Sequence, residues 1–261
     1  MPRYDFSAQR LFVEGVLAAR GEFELGQPQT HYLFSVLRMR LGDRILVFNG
    51  RDGEWLAEIR NASKRSAGLL VVEQIRKQQS GPDIDYCFAP LKHARLDYMV
   101  QKAVEMGARR LIPVLTKRTQ VSRLNLARMR ANAIEAAEQC GILAVPEIMP
   151  EMSLSSYLAE RSAARLLIFC DEEAEVADPI AALRDRKREP ANAGAFALLI
   201  GPEGGFDPSE REALVAAENV LPISLGPRIL RADTAAVAGL ALLQAVLGDW
   251  NGAQPRTTMS P

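Results

Sequence analysis

Three charged residues near the C-terminus, Arg228, Arg231 and Asp233, lie in "LGPRILRADTAA" at 225–236, between a short apolar strand pattern and an Ala-rich helical one. Two arginines beside a carboxylate can stabilise charge that develops on a substrate, while the carboxylate takes a proton or orients a guanidinium. A local role is also open, since Asp233 or Thr234 suits a helix N-cap. Arginines at a helix start oppose the helix dipole, which points to a task outside the helix. Upstream, "LLIGPEGGF" at 198–206 runs an apolar strand into Gly201, Gly204 and Gly205, with Glu203 the single carboxylate in the loop. Residues without a Cβ let main chain approach a ligand closely and adopt positive φ. Asp207, Pro208 and Glu210 then read as an N-cap, a first-turn proline and the far half of a capping box. Taken alone, the loop serves a tight turn into a capped helix as well as it serves a ligand. It is not a phosphate cradle, because it lacks the Walker lysine and no G-x-G-x-x-G follows a strand. Two such Gly-Pro turns, at 201–202 and 226–227, each follow an apolar strand pattern. In an open parallel sheet, ligands bind outside the carboxyl ends of strands. The two turns can therefore place peptide groups around one planar ligand, with the arginines beside it.

The elements that must position these loops fall into two rhythms. From residue 10 to 80, short strand patterns ("RLFVE", "EFEL", "DRILVFN", "EWLAEI", "GLLVVEQI") alternate with turn signals such as Leu41-Gly42-Asp43 and Asp52-Gly53. One helical stretch, "QTHYLFSVLRM", interrupts them. This predicts a small barrel. Ser80-Gly81-Pro82-Asp83 marks a boundary, after which apolar strands ("DYCFAPL", "RLIPVL", "RLLIFC", "AFALLIG", "LPISLG") alternate with helices near 95–107, 125–140, 153–162, 178–187, 208–218 and 233–247. That alternation predicts an α/β domain with a largely parallel sheet covered on both faces. The expected division is residues 1–80, residues 81–250 and a loose tail at 251–261, with an exposed loop at 186–194.

Composition narrows the function classes. A chain of 261 residues with 48% hydrophobic content carries a real core. Its longest apolar run, "AAVAGLALLQAVLG", is shorter than the roughly 20 residues needed to span a bilayer and contains Gln244. It reads as a buried helix. No secretory signal is visible at the N-terminus, so a cytoplasmic location is expected. Cys87, Cys140 and Cys170 are odd in number and widely spaced, which suits reduced, mostly buried thiols, and with only His31 and His93 no metal site is expected. Net charge is zero, yet residues 92–130 carry 10 Lys and Arg against 2 Asp and Glu. Such a block is either a polyanion patch or a solvated helix face balanced by acidic neighbours.

The segments "HYLFSVLRMRLGD" at 31–43, "RLDYMVQKAVEMG" at 95–107, "AAEQCG" at 136–141, "LLIGPEGGF" and "LGPRILRADTAA" together resemble the ribosomal RNA small-subunit methyltransferase E family. They keep the family's order across nearly the whole chain. The resemblance implies a PUA-like RNA-binding β-barrel, then a SPOUT-type α/β domain with a trefoil knot, and a homodimer. It implies S-adenosylmethionine as the methyl donor and N3 of a uridine in 16S rRNA as the acceptor. The family's cofactor loops fall on Leu199, Ile200 and Gly201, on Leu225 and Gly226, and on Leu230. Gly204 belongs to the same loop, and Glu203 fixes it through backbone hydrogen bonds or touches the ligand, the former being preferred. Flanking apolar residues are expected to pack against adenine. Two departures stand out: Arg231-Ala232-Asp233-Thr234 replaces the usual Arg-Thr-Glu-Thr, and Ile142 replaces an arginine that commonly follows Gln-Cys-Gly.

For the chemistry, Arg231 is the first choice to stabilise charge on uracil and Arg228 the second, with Asp233 as proton acceptor or orienter. Lys92, Arg95, Lys102, Lys117, Arg118 and Arg123 are expected to meet RNA phosphates, with Arg38 and Arg40 as further RNA candidates. Competing readings are a knotted methyltransferase acting on transfer RNA or a ribose hydroxyl, and a non-catalytic RNA-binding module whose loops serve only packing.

Overall fold

The computed structural model describes residues 8–63, 65–121, 123–175, 178–187 and 194–250. The expected 251–261 tail and most of the expected 186–194 loop lie outside those residues. The chain divides into two compact units, one of residues up to Ser80 with Ala137–Val145, the other of Gly81–Ala136 and the chain from Pro146.

In the first unit, β1 (Arg10–Phe12), β2 (Glu22–Leu25), β3 (Arg44–Phe48), β4 (Glu54–Ala62) and β5 (Ala67–Arg76) form one sheet in the order β1-β3-β4-β5-β2. All pairs are antiparallel except β1 with β3, which run parallel. The helical stretch is a short α1 (Gln27–His31) that widens into a π-helical turn at Tyr32–Val36. Leu33 from that turn joins Ile45, Val47, Ile59, Leu69 and Val71 in the core. The turn ends on Arg38, which takes φ 57°, and the Met39 N–H closes back on the Leu33 carbonyl at 3.0 Å. A buried carboxylate braces the sheet. Glu54 accepts from Arg10 Nε at 3.0 Å and from Arg76 Nε at 2.9 Å, and Arg76 also donates to the Gly141 carbonyl at 2.8 Å. The Phe12 N–H donates to Glu138 at 2.7 Å. Two residues of "AAEQCG" thus tie Ala137–Val145 to the strands of this unit.

In the second unit the chain runs β6 (Asp83–Phe88), α2 (His93–Glu105), β7 (Arg110–Leu115), α3 (Leu126–Cys140), β8 (Glu147–Ile148), β9 (Met152–Ser153) and α4 (Leu154–Glu160). It continues through β10 (Leu166–Cys170), α5 (Pro179–Lys187), β11 (Ala195–Ile200), α6 (Pro208–Ala216), β12 (Val220–Ile223) and α7 (Ala232–Val246). The sheet order is β12-β10-β11-β6-β7-β8, with β9 also on β7, and every pair is parallel. Leu166–Phe169 and Ala197–Leu199 are fully buried, as a parallel sheet covered on both faces requires. β8 and β9 were not anticipated, since two residues carry no periodicity. At the amino ends of the central strands Asp85, itself buried, pairs with Arg110 at 2.6 Å and Arg165 at 3.1 Å. Gln244, the polar interruption in the apolar run, is buried in α7 and donates to the Met106 carbonyl at 2.6 Å, just past α2. No described helix is long and apolar enough to cross a membrane. Cys87 is buried and Cys170 partly buried, while Cys140, the last residue of α3, is exposed.

Candidate active site

Because all pairs in the second sheet are parallel, the carboxyl ends of β6, β7, β10, β11 and β12 share one edge. β11 and β12 flank β10, so the loops at 201–207 and 224–231 leave the sheet on either side of a single strand. Each starts from a fixed point. The Ala89 N–H donates to the Ile200 carbonyl at 3.0 Å and the Asp171 N–H to the Ile223 carbonyl at 2.9 Å, extending both ladders to the strand ends.

The first loop is shaped from inside and outside. A Cβ on Gly201 would lie 2.4 Å from the Phe206 ring, so this ring can fold over the loop's first residue only if that residue is glycine. Phe206 in turn meets Phe169 edge-on at 5.0 Å, which anchors it in the core. The Gly205 N–H closes a turn on the Pro202 carbonyl at 2.9 Å, with Gly205 at φ +69°. On the outside, Glu203 pairs with Arg95, and the Gly204 carbonyl accepts from Arg118 at 2.8 Å. The loop then enters α6 through a complete capping box of Asp207 and Glu210. Lys117 Nζ donates to Asp207 at 2.9 Å and to Ser209 at 2.6 Å. The Ser209 hydroxyl and Lys117 together hold the Asp207 carboxyl down at about 2.

The second loop is open. Its Gly226 takes φ +102°, and a Cβ placed there would meet nothing within 4 Å. Arg228 and Arg231 are exposed, and among the described residues neither has an ion-pair partner. Ile229 between them is 90% exposed. α7 begins at Ala232 with Arg231, not Asp233 or Thr234, at the N-cap, and no side chain caps it. Asp233 is instead in the first turn, where its carboxylate accepts from the Thr234 N–H at 3.0 Å and suits the helix dipole. In β6 the Tyr86 ring stacks on Phe88 at 5.0 Å. Burial pushes its phenol well above the ordinary value, with Cys170, Cys87 and Asp233 adding to the effect.

A family model described as an RNA methyltransferase domain matches residues 78–244, and one for an RNA methyltransferase PUA domain matches residues 25–71. The ribosomal RNA small subunit methyltransferase E of Rickettsia conorii is 30% identical over 233 residues, covering 89% of this chain and 93% of that protein. This chain belongs to the ribosomal RNA small subunit methyltransferase E family. The member from Bacillus subtilis is 28% identical, covering 90% of this chain and 95% of its own length. Among solved structures, a methyltransferase from Legionella pneumophila in complex with bound SAM is 28% identical, with a TM-score of 0.80 over 93% of this chain and 99% of that one. The SAM-bound methyltransferase E of Neisseria gonorrhoeae is 26% identical and has the same TM-score and coverage.

In this methyltransferase E family member the expected site residues divide by what they can offer. Leu199 and Ile200 have side chains buried in the core and backbones paired within the sheet, so they fix the start of the loop and offer no apolar side chain to a ligand. Leu225 and Leu230 are half-buried on the open loop and keep theirs available. Glu203 is held by Arg95, a side-chain partner where backbone donors were expected. Among the expected RNA residues, Lys92, Arg123, Arg38 and Arg40 are exposed. Lys102 pairs with Glu105 at 2.7 Å and lies over the Tyr98 ring. Arg95, Lys117 and Arg118 are all turned onto the glycine loop or the helix after it. Sequence reasoning missed this, and it missed Phe206 as the loop's inner anchor. The one available signal was the pair Thr116 and Thr119 bracketing the cations: the Thr116 N–H donates to Thr119 Oγ1 at 2.9 Å and the Thr119 N–H to the Thr116 carbonyl at 3.0 Å, a closed turn.

Proposed function

We propose that this chain transfers the methyl group of S-adenosylmethionine to N3 of a uridine in 16S rRNA. The observation that carries the reading is the pair of loops at one sheet edge, one braced and one open, with two arginines beside the open one that have no ion-pair partner among the described residues. The donor fits this edge. Leu199 and Ile200 fix the strand end on the braced side, and the peptide groups of Gly201 and Gly204 follow it, with Glu203 locking the loop. The half-buried Leu225 and Leu230, and the free space beside Gly226, offer an apolar wall for adenine. When bound, S-adenosylmethionine supplies an already activated electrophilic methyl group, so the protein's own part is positioning and charge stabilisation.

Uridine N3 must lose its imide proton before it can act as a nucleophile, and the resulting charge spreads to O2 and O4. Arg231 meets that charge, with Arg228 as its neighbour. Asp233 takes the proton or orients Arg231, and Asp233→Asn separates the two roles, since an amide can orient a guanidinium but not act as base. The N-terminal unit, with Arg38 and Arg40, and the basic block, through Lys92, Lys102 and Arg123, set the register on RNA from which the base has been unstacked. The knotted topology of the C-terminal loops, assembly into a homodimer, action in the cytoplasm, and the division into residues 1–80 and 81–250 belong to the same reading. The test is to incubate the protein with labelled donor and small ribosomal subunits, then digest the RNA to nucleosides. Labelled N3-methyluridine is expected. Label on a ribose, or only on added transfer RNA, would overturn the proposal.

A further inference from the structure

Three cations of the basic block, two exposed and one half-exposed, are bonded to the glycine loop or to the helix that follows it. Arg118 donates to the Gly204 carbonyl at 2.8 Å, Arg95 pairs with Glu203, and Lys117 holds Asp207 and Ser209 at the start of α6. The Lys117 main chain joins in, its N–H donating to Glu210 at 2.8 Å. Five residues of the segment from 203 to 210 (Glu203, Gly204, Asp207, Ser209 and Glu210) are thus gripped from outside, while Phe206 anchors it from inside.

The grip is built rather than incidental. Thr116 is buried and shares hydrogen bonds with Thr119, which fixes the turn carrying both Lys117 and Arg118. The Arg118 stem lies against Gly204, where a Cβ would meet Arg118 Cδ at 3.7 Å, an ordinary packing contact. A half-exposed ion pair such as Arg95 with Glu203 contributes little alone. Several charged contacts on one glycine-rich loop act together, because each one made lowers the entropy left for the next to overcome.

We propose that Arg118, supported by Arg95 and Lys117, is a positioning residue that clamps the glycine loop in its ligand-ready conformation and is not part of the RNA footprint. The inference rests on the proposed function, in which that loop's peptide groups hold the methyl donor. A preformed loop binds without an ordering cost, whereas a loosened one must be ordered at binding.

The two roles for Arg118 separate in two titrations on Arg118→Ala. The clamp requires S-adenosylmethionine to bind about tenfold or more weakly by calorimetry, as a KM effect larger than the kcat effect, with Arg118→Lys recovering part of the loss because an ammonium still reaches the carbonyl. It also requires the salt dependence of RNA binding to stay as in wild type. A phosphate contact requires unchanged donor affinity and a salt slope shallower by about one, and that result overturns the clamp. Hydrogen exchange at the Gly205 amide, which closes the turn on Pro202, reads the clamp without any ligand. Faster exchange in Arg118→Ala supports it, and unchanged exchange overturns it. Failure of the wild type to bind the donor, with exchange still accelerated, would remove the proposed function and leave the mechanical clamp standing.

Discussion

At the scale of single residues, the site divides into groups already committed and groups left free. Arg231 ends its strand-to-helix connection at an N-cap where it makes no side-chain cap, and it is exposed without an ion-pair partner among the described residues. An arginine kept unpaired beside a helix start is costly to local stability and useful only to something that arrives. Arg231→Ala is therefore expected to leave donor binding intact while lowering methyl transfer by about 10²- to 10³-fold, the usual range for removing one charge-stabilising donor. Calorimetry and a single-turnover assay on the same preparation check both halves. Gly201 is committed in the opposite sense. Gly201→Ala places a methyl 2.4 Å from the Phe206 ring, and either the ring leaves Phe169 or the loop moves. A loss of about 1–3 kcal/mol is expected for such overpacking, measured by denaturant unfolding, together with weakened donor binding.

At the scale of elements, α6 shows how a helix start doubles as a loop anchor. Its capping box satisfies two backbone donors, and the same Asp207 carboxylate receives Lys117 and the Ser209 hydroxyl. These contacts lower its carboxyl from 3.8 to about 2 in the folded protein. A carboxyl with a depressed folded-state pKa gives stability that is fully present above its unfolded value. That stability is lost as pH falls through the folded value. The difference in unfolding midpoint between wild type and Asp207→Asn should thus be constant above about pH 4 and vanish on approach to pH 2. A difference that persists unchanged at pH 2 would mean the carboxylate charge does not hold the cap. Both the helix start and its capping box were legible in the sequence, because "FDPSERE" carries the capping spacing in seven consecutive residues. The start of α7 was not. Asp233 and Thr234 are better capping residues than Arg231, but the loop from β12 delivers the chain so that the helix begins two residues before Thr234.

At the scale of the molecule, each unit has its own core, and each holds a buried ionic cluster that could not be seen in a strand pattern. Glu54 is fully buried between Arg10 and Arg76, whose side chains are 2% and 25% exposed. Removing the shared carboxylate leaves the Arg10 charge in a site where water cannot reach it. Glu54→Ala is expected to cost about 3–5 kcal/mol, read by calorimetry as a lowered transition of the N-terminal unit. Replacing Arg10, Glu54 and Arg76 together with apolar residues should recover much of that loss. Charge over the whole chain sums to zero, so attraction to RNA must come from local surfaces.

The sequence alone determined the alternation of strands and helices, the parallel sheet, the two Gly-Pro loops and, through its motifs, the family. Those properties are written in local spacing: apolar runs of strand length, caps at fixed offsets, residues without a Cβ where the chain turns. Tertiary structure alone decided which partners the charged residues take. Arg95 and Glu203 are 108 positions apart, and Arg118 and Gly204 are 86 apart. A block of lysines and arginines reads the same in one dimension whether it faces solvent or a loop. Only the order of strands, with β6 lying between β7 and β11, brings the turn after β7 to the loop after β11, where the Arg118 guanidinium meets the Gly204 carbonyl.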